Sequence, residues 1–403
     1  MSQKNGNKIG LIAAIIIGMN AMVGIGIVTF PATLSIKVGP ASIITFLISV
    51  GIAITLGLSL GRVAVKYPGE GWTYLYPSKW AGHKVGVFSS FSYVTGVLIA
   101  MGFLIQQVGI WGNKLLPFIP AKPLGLIIIL ILMVLVIAGA HASKIGQFVI
   151  SAFVVIPLVL TAIVCLFNVK PELLTPFAPH GLAPIFSATS IVLFALLGFE
   201  CTVSLYAVVK NPAKNVPRAF ILSILAVGLL YTLFTAGIVS AIHPSEFSGG
   251  FNSTLAHVLE RVFPSMPVLS FAILIGALFG IIGTLHSMLW TTSTLLTDVL
   301  KKTKTQSIKT MLAKKIWTNK VSIFVCTGIM IASSLIGTPM ALIELTVFFM
   351  ILSNLLSIVN LFLMKEEWTS GRNIVTVIAF LGGCAMLYFS LKPFLTSIKQ
   401  LLT

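Results

Sequence analysis

The sequence predicts an all-α protein that crosses a membrane many times, and three observations carry that prediction. Mean hydropathy is +1.06 over 403 residues. Charged residues make up 9% of the chain, against roughly 25% in soluble domains. Apolar runs of about 20 residues recur, each long enough to cross ~30 Å of hydrocarbon as a helix. Too little polar material remains to cover a solvated surface. A soluble enzyme, a disordered chain and a coiled coil are thereby excluded.

Eleven spans follow in order, at about 9–35, 40–64, 85–112, 123–140, 145–168, 183–209, 217–242, 266–299, 320–337, 340–364 and 373–391. Polar or Pro/Gly-rich cuts separate them, such as Lys66-Tyr67-Pro68-Gly69-Glu70-Gly71 and Asn211-Pro212-Ala213-Lys214-Asn215-Val216-Pro217. Residues 1–10 are short and polar and the first apolar run ends at no cleavage site, so the first helix reads as retained. With the N-terminus in the cytoplasm, 19 of the 26 Lys and Arg residues fall on the inner side, which sets the orientation. The net charge of +17 is therefore a topology signal and not a nucleic-acid patch. Cys165, Cys201, Cys326 and Cys384 all lie inside apolar segments, away from any disulfide framework.

Two spans differ from the rest. The first carries Gly24-Ile25-Gly26 at its middle and Pro31 beyond it; the sixth carries Gly198-Phe199-Glu200. Glycine disfavours a helix interior, and irregular backbone at membrane depth is tolerated only where it is buried or lines a cavity. Two breaks five spans apart predict a five-plus-five inverted repeat, the pattern of secondary transporters with broken helices 1 and 6. The chain then reads as one transmembrane unit over 1–403, with 1–168 and 183–364 as the two halves and 365–403 as an additional C-terminal helix.

A broken helix 1 exposes amides around Gly24, Ile25 and Gly26, which suit a carboxylate. The first half-helices of spans 1 and 6 end in unpaired carbonyls, which suit an ammonium. Together they fit an α-amino acid zwitterion. Glu200 is a carboxylate in mid-membrane, functional by default; it reads as a proton acceptor that titrates during the cycle, or as a buried structural hydrogen bond. His286, with Ser287 and Trp290 nearby, reads as a relay facing the same cavity or as packing. Glu344 sits near the outer end of span 10 and Asp298 near the inner interface. Gln106, Gln107, Trp111 and Asn113 crowd the outer half of span 3, lining a vestibule or pairing between helices. No Gly-x4-Gly-Lys-[Ser/Thr] run, no His-Glu-x-x-His and no paired carboxylates occur, so neither a motor, a metal site nor an enzyme is expected. A channel would need a repeated pore-lining ring. A sensor using the same pocket remains an alternative.

The chain resembles the amino acid–polyamine–organocation family of transporters. The resemblance rests on Gly24-Ile25-Gly26-Ile27-Val28-Thr29-Phe30-Pro31, on Tyr67-Pro68-Gly69-Glu70-Gly71-Trp72-Thr73-Tyr74, and on Gly198-Phe199-Glu200 with Val208-Val209-Lys210-Asn211-Pro212 and Asn215-Val216-Pro217-Arg218-Ala219. It covers about residues 9–300. It implies that the carbonyls of Met22, Phe194 and Leu197 hold the ammonium and the amides of Ile25 and Gly26 the carboxylate. The substrate side chain then faces helices 3, 6 and 8. The expected substrate site is Met22, Gly24, Ile25, Gly26, Phe194, Leu197 and Gly198, with Glu200, Phe194 and His286 for proton coupling or gating. Phe194 falls where relatives place an aromatic gate, although a plain core phenylalanine is the alternative.

Residues 147–157 hold no lysine, and Pro157 stands where some relatives place a lysine that mimics sodium. In this the chain resembles the arginine/agmatine- and putrescine/ornithine-type exchangers, which implies exchange and cationic substrates, amino acids or polyamines. Against it, Leu285 stands where those exchangers use an aromatic. Two further departures are Asp298-Val299-Leu300-Lys301-Lys302 in place of an acidic-Gly-x-x-Pro run, and eleven spans where twelve are usual. The resemblance implies a proton or substrate gradient as driving force with no cofactor or metal. It also implies a bacterial inner (plasma) membrane, with the lipid bilayer and a small amino acid or amine as partners. Monomer and homodimer both stay open.

Overall fold

Hydrocarbon offers no water to backbone N–H and C=O groups, so apolar runs must pair them internally, as helices. The computed structural model describes residues 8–67, 71–139, 144–200, 202, 209–249, 254–302, 311, 317–363 and 370–402. The 68–70 turn, Cys201, Val208 and most of the 301–320 lysine loop lie outside them. Among the described residues the β-type pairing is one isolated parallel bridge between Ile9 and Val209, and the Ala41 and Lys170 N–H groups bond the carbonyls of Phe177 and Ser240.

The helices are α1 (Leu11–Met22), α2 (Gly26–Lys37), α3 (Ser42–Lys66), α4 (Trp72–Asn113), α5 (Ala121–Ile137), α6 (Lys144–Phe167), α7 (Ala183–Ser187) and α8 (Thr189–Leu196). They continue as α9 (Pro212–Ala241), α10 (Leu255–Val262), α11 (Pro267–Lys302), α12 (Asn319–Ile336), α13 (Pro339–Ile358), α14 (Asn360–Leu363) and α15 (Ser370–Leu402). Eight helices among the described residues are long and apolar enough to cross a membrane, and the α1–α2 pair, bent by 49°, makes a ninth. Shorter apolar helices, Ala121–Ile137 and Ala183–Leu196, stand at the expected fourth and sixth spans.

Two departures from the expected elements have physical causes. The third span is preceded by a helical segment from Trp72, set off by non-helical backbone at Gly82 (φ 78°). The amphipathic helix α10 follows the seventh span; it buries Leu255, Ala256, Val258 and Leu259, while Arg261 pairs with Glu246 at 3.1 Å. Its polar positions concealed it among longer apolar runs.

Burial separates central from peripheral helices. In the spanning windows of α4 and α13, 78% and 72% of residues are buried, against 28% for α15. α4 packs on α13, α5, α11 and α12, while α9 packs on α1, α3 and α6. Lipid is as apolar as leucine, so these contacts depend on close approach and hydrogen bonds. Ser89 and Ser353 share a bond of 2.9 Å, Ser92 donates to the Phe349 carbonyl at 2.9 Å, and Thr346 donates to the Gly96 carbonyl at 3.2 Å. All three join α4 to α13.

At Gly57 the α3–α9 contact is so close that a Cβ would fall within the Phe220 ring, whereas Gly51 on the same helix has open space. Gly57→Ala should therefore destabilise the protein by about 1–3 kcal/mol. Gly51→Ala should be neutral or stabilising, since alanine favours a helix. Thermal unfolding in detergent measures both; equal midpoints would contradict this packing.

Candidate substrate site

The first break begins where α1 ends: the Val23 N–H bonds the Met19 carbonyl at 2.8 Å, and Val23 then turns extended. Gly26 opens α2, so its N–H lacks an intrahelical acceptor. Tyr231 of α9 donates its hydroxyl to the Met22 carbonyl at 3.2 Å, and the backbone of Gly24 also bonds that hydroxyl. A single buried phenol thus bridges the break.

The second break follows α8. The Leu197 N–H reaches the carbonyls of Leu193 at 3.0 Å and Phe194 at 3.2 Å, after which Leu197 is extended. Gly198 then has φ +108°, and a Cβ there would overlap the Ala21 carbonyl. Only glycine lets the two breaks abut. Glu200, fully buried, accepts the Gly198 N–H on Oε2 and the Tyr93 hydroxyl on Oε1, both at 3.1 Å. The carboxylate therefore caps the break in its own span.

One cavity opens between these breaks. Met22, Gly24, Ile25, Gly26, Phe194, Leu197, Gly198 and Glu200 all line it, so the structure brings together every expected site residue but His286. Val97, Ala100, Met101 and Leu104 of α4, Thr284 and Met288 of α11, and Thr346 and Met350 of α13 complete most of the wall. His286 lies two residues from both Thr284 and Met288, about 200° around the helix, and does not line the cavity. That corrects the reading of His286 as facing it. Met288 forms the wall rather than Leu285, and Trp290 is exposed.

Aromatic clusters adjoin the cavity through Phe194 and through Tyr93. Phe194 packs edge-on against Phe30, with centroids 5.7 Å apart, and against Phe103 at 5.6 Å; it is a wall residue and part of this cluster at once. Trp72 meets Tyr93 at 5.3 Å and Tyr76 at 6.2 Å.

The outer polar groups of span 3 mostly pair between elements. Gln106 donates to the carbonyls of Ser334 at 2.8 Å and Gly337 at 2.7 Å, and Asn113 donates to Ile119 at 2.8 Å. Trp111 is buried. Gln107, one turn beyond Phe103, and Asn354, one turn beyond Met350, are wholly buried carboxamides with no hydrogen-bond partner among the described residues. Glu344 is buried and feels the charge of Lys37, while Asp298 pairs with Lys301 at 3.3 Å on the surface. A smaller cavity between α2, α6 and α11 is walled by Val28, Val154, Pro157, Ile273 and Ala277 among others, with no titratable side chain in its lining.

Tyr93, Tyr231, Phe30 and Phe103 escaped the sequence reading. The available signal was a tyrosine in mid-span, whose hydroxyl needs a buried partner.

Gly198→Ala should cost about 3 kcal/mol, because it adds a Cβ at positive φ against a backbone carbonyl. At Gly24 a Cβ would meet only the Thr284 hydroxyl, at 3.8 Å. Gly24→Ala should therefore keep the unfolding midpoint and reduce ligand affinity. Thermal unfolding with and without ligand separates the two; a normal midpoint for Gly198→Ala would refute the abutting breaks.

Comparison with known proteins agrees with this architecture. The amino acid permease family model matches residues 9–400. The branched-chain amino acid permease BcaP of Bacillus subtilis is 24% identical over 267 residues, 60% of this chain and 56% of the relative. The aspartate-proton symporter of the same organism is 29% identical over 293 residues, 68% and 55% respectively. The putrescine transporter PotE of Escherichia coli is 29% identical over 299 residues, 70% and 66%. The chain thus spans less than two thirds of the length of each of these relatives. Two helix breaks on one membrane cavity and a family match running almost end to end place this chain in the amino acid permease family.

Proposed function

We propose that the protein is a secondary-active amino acid transporter that works by alternating access about its two helix breaks. The observation that carries this reading is the cavity itself, which meets both breaks and adjoins the Phe30–Phe103–Phe194 cluster through Phe194 and the Trp72–Tyr93 pair through Tyr93. Amides at the start of α2 receive the substrate carboxylate. The carbonyls of Met22, Phe194 and Leu197 receive its ammonium; the first two already accept one protein donor each and have a second lone pair to offer. The named relatives act on branched-chain amino acids, aspartate and putrescine. By name they include neutral, anionic and cationic substrates.

In this reading the chain sits in a bacterial inner membrane with its N-terminus inside, and its halves form a five-plus-five repeat. A proton or substrate gradient drives it without a resident cofactor. Exchange is the expected mode, with Glu200 as the group that titrates in a proton-linked cycle.

Proteoliposomes preloaded with amino acid should take up labelled amino acid faster than empty ones. Ligand binding without flux would replace transport by sensing. Glu200→Gln keeps an acceptor for the Gly198 N–H but cannot ionise, so its uptake should lose most of its pH dependence. An unchanged pH profile would assign Glu200 to capping alone.

A further inference from the structure

Resting on that transport reading, we infer that the substrate is an α-amino acid with a neutral, apolar side chain. The cavity has two chemically different ends. The main-chain end is made by the helix breaks and their backbone groups. The large apolar side chains of the remaining wall, where a substrate side chain must lie, are Val97, Met101, Leu104, Phe194, Met288 and Met350, with Tyr93, Ala100 and Thr346 beside them.

Charge decides first. Among the described residues Glu200 is the one titratable carboxylate in the lining, and no lysine, arginine or histidine lines it. A cationic side chain needs a free carboxylate. Glu200 does not supply one to a side chain lying on the far wall, since it sits at the main-chain end, where it caps the break. An acidic side chain needs a cation, and the lining offers none. Burying an uncompensated charge costs several kcal/mol, more than apolar contacts of the same size return.

Hydroxyls decide next. Thr346 is engaged with the Leu342 carbonyl at 2.7 Å and the Gly96 carbonyl at 3.2 Å, so its proton is unavailable. Thr284 lies beside Gly24, at the main-chain end. An amide on the substrate side chain therefore finds acceptor oxygens on Thr346 and Tyr93 but no free hydroxyl donor in this wall, which leaves its own carbonyl unpaired.

Three of the six large apolar side chains are methionines. Their unbranched thioethers adapt to different shapes, so the wall accepts a set of apolar side chains rather than one. The proposal departs from the cationic preference implied by the helix 5 pattern; Pro157 lines the smaller cavity, which meets this one at Gly24, and is not on this wall.

The test is calorimetric titration of the purified full-length chain in nanodiscs with alanine, leucine, methionine, lysine, aspartate and putrescine. Each buried methylene is worth about fourfold in affinity, so leucine and methionine should bind roughly tenfold to a hundredfold more tightly than alanine. Lysine, aspartate and putrescine should bind at least about a hundredfold more weakly than leucine. Tighter binding of lysine, aspartate or putrescine would overturn the substrate class and leave the transport reading standing. Failure of all six to bind would overturn the transport reading beneath it. Met101→Ala and Met288→Ala enlarge the wall and should shift the phenylalanine-to-leucine affinity ratio about tenfold toward phenylalanine. That ratio is read within one folded sample, and no shift in either variant would refute the assigned wall.

Discussion

A helix interrupted at mid-membrane leaves amides and carbonyls where no bulk water can pair them, and each costs several kcal/mol unless a partner is built in. The centre of this fold is organised by that constraint. Tyr231 reaches from α9 to the Met22 carbonyl, and Glu200 folds back on the Gly198 N–H while holding Tyr93. Gly198 removes its own side chain so that the second break can lie on the end of α1. The backbone groups left over face the cavity. In the proposed function a zwitterion bound there would complete the pairing that the chain leaves open, which would link binding to the conformation of both breaks.

In the proposed cycle Glu200 combines two roles that sequence reading treats as rivals. As an anion it accepts two hydrogen bonds from neutral donors, a stable cap that calls for no cation. On protonation one oxygen becomes a donor. The Gly198 N–H cannot reverse its role, but the Tyr93 hydroxyl can rotate to accept. A proton on Glu200 is therefore felt first by Tyr93, which lines the cavity and carries Trp72 on its ring. Capping and coupling use the same atoms. A carboxylate that merely closed a backbone gap would have no reason to hold a cavity-wall tyrosine on its other oxygen.

Much of this was legible in the sequence because glycine and charge are conspicuous in apolar runs. Gly24, Gly26, Gly198 and Glu200 mark both breaks without reference to any other segment. The partners of the breaks were not legible. Tyr93 and Glu200 are 107 positions apart, Met22 and Tyr231 209 apart, and no local pattern ties such residues together. His286 was misplaced for a different reason: being on the correct helix is not being on the correct face, and a shift of two residues turns a side chain about 200°. Gln106 and Asn113 look like vestibule groups, yet both satisfy carbonyls at helix ends. Polar residues in a span are as readily consumed by backbone as offered to a ligand.

The contacts also divide the molecule mechanically. The two broken spans touch at mid-membrane through Gly198 on Ala21 and Gly26 on Ala195, and near residue 9 through the Ile9–Val209 bridge, where the Lys210 N–H bonds the Ile9 carbonyl at 2.9 Å. Joined at both levels, they are constrained to move together. α4 and α13 form a second unit, tied by Ser89–Ser353, Ser92–Phe349 and Thr346–Gly96. The cavity lies between these units, which also meet directly where α8 packs on α13. Phe103 against Phe30 and Phe194 crosses at one end; Tyr93 to Glu200 crosses on the side of Trp72. In the proposed cycle a tilt of one unit on the other separates one of these crossings while it compresses the other. Access from both sides at once would require losing the aromatic cluster and the Glu200 hydrogen bond together, and that is the arrangement the packing disfavours most.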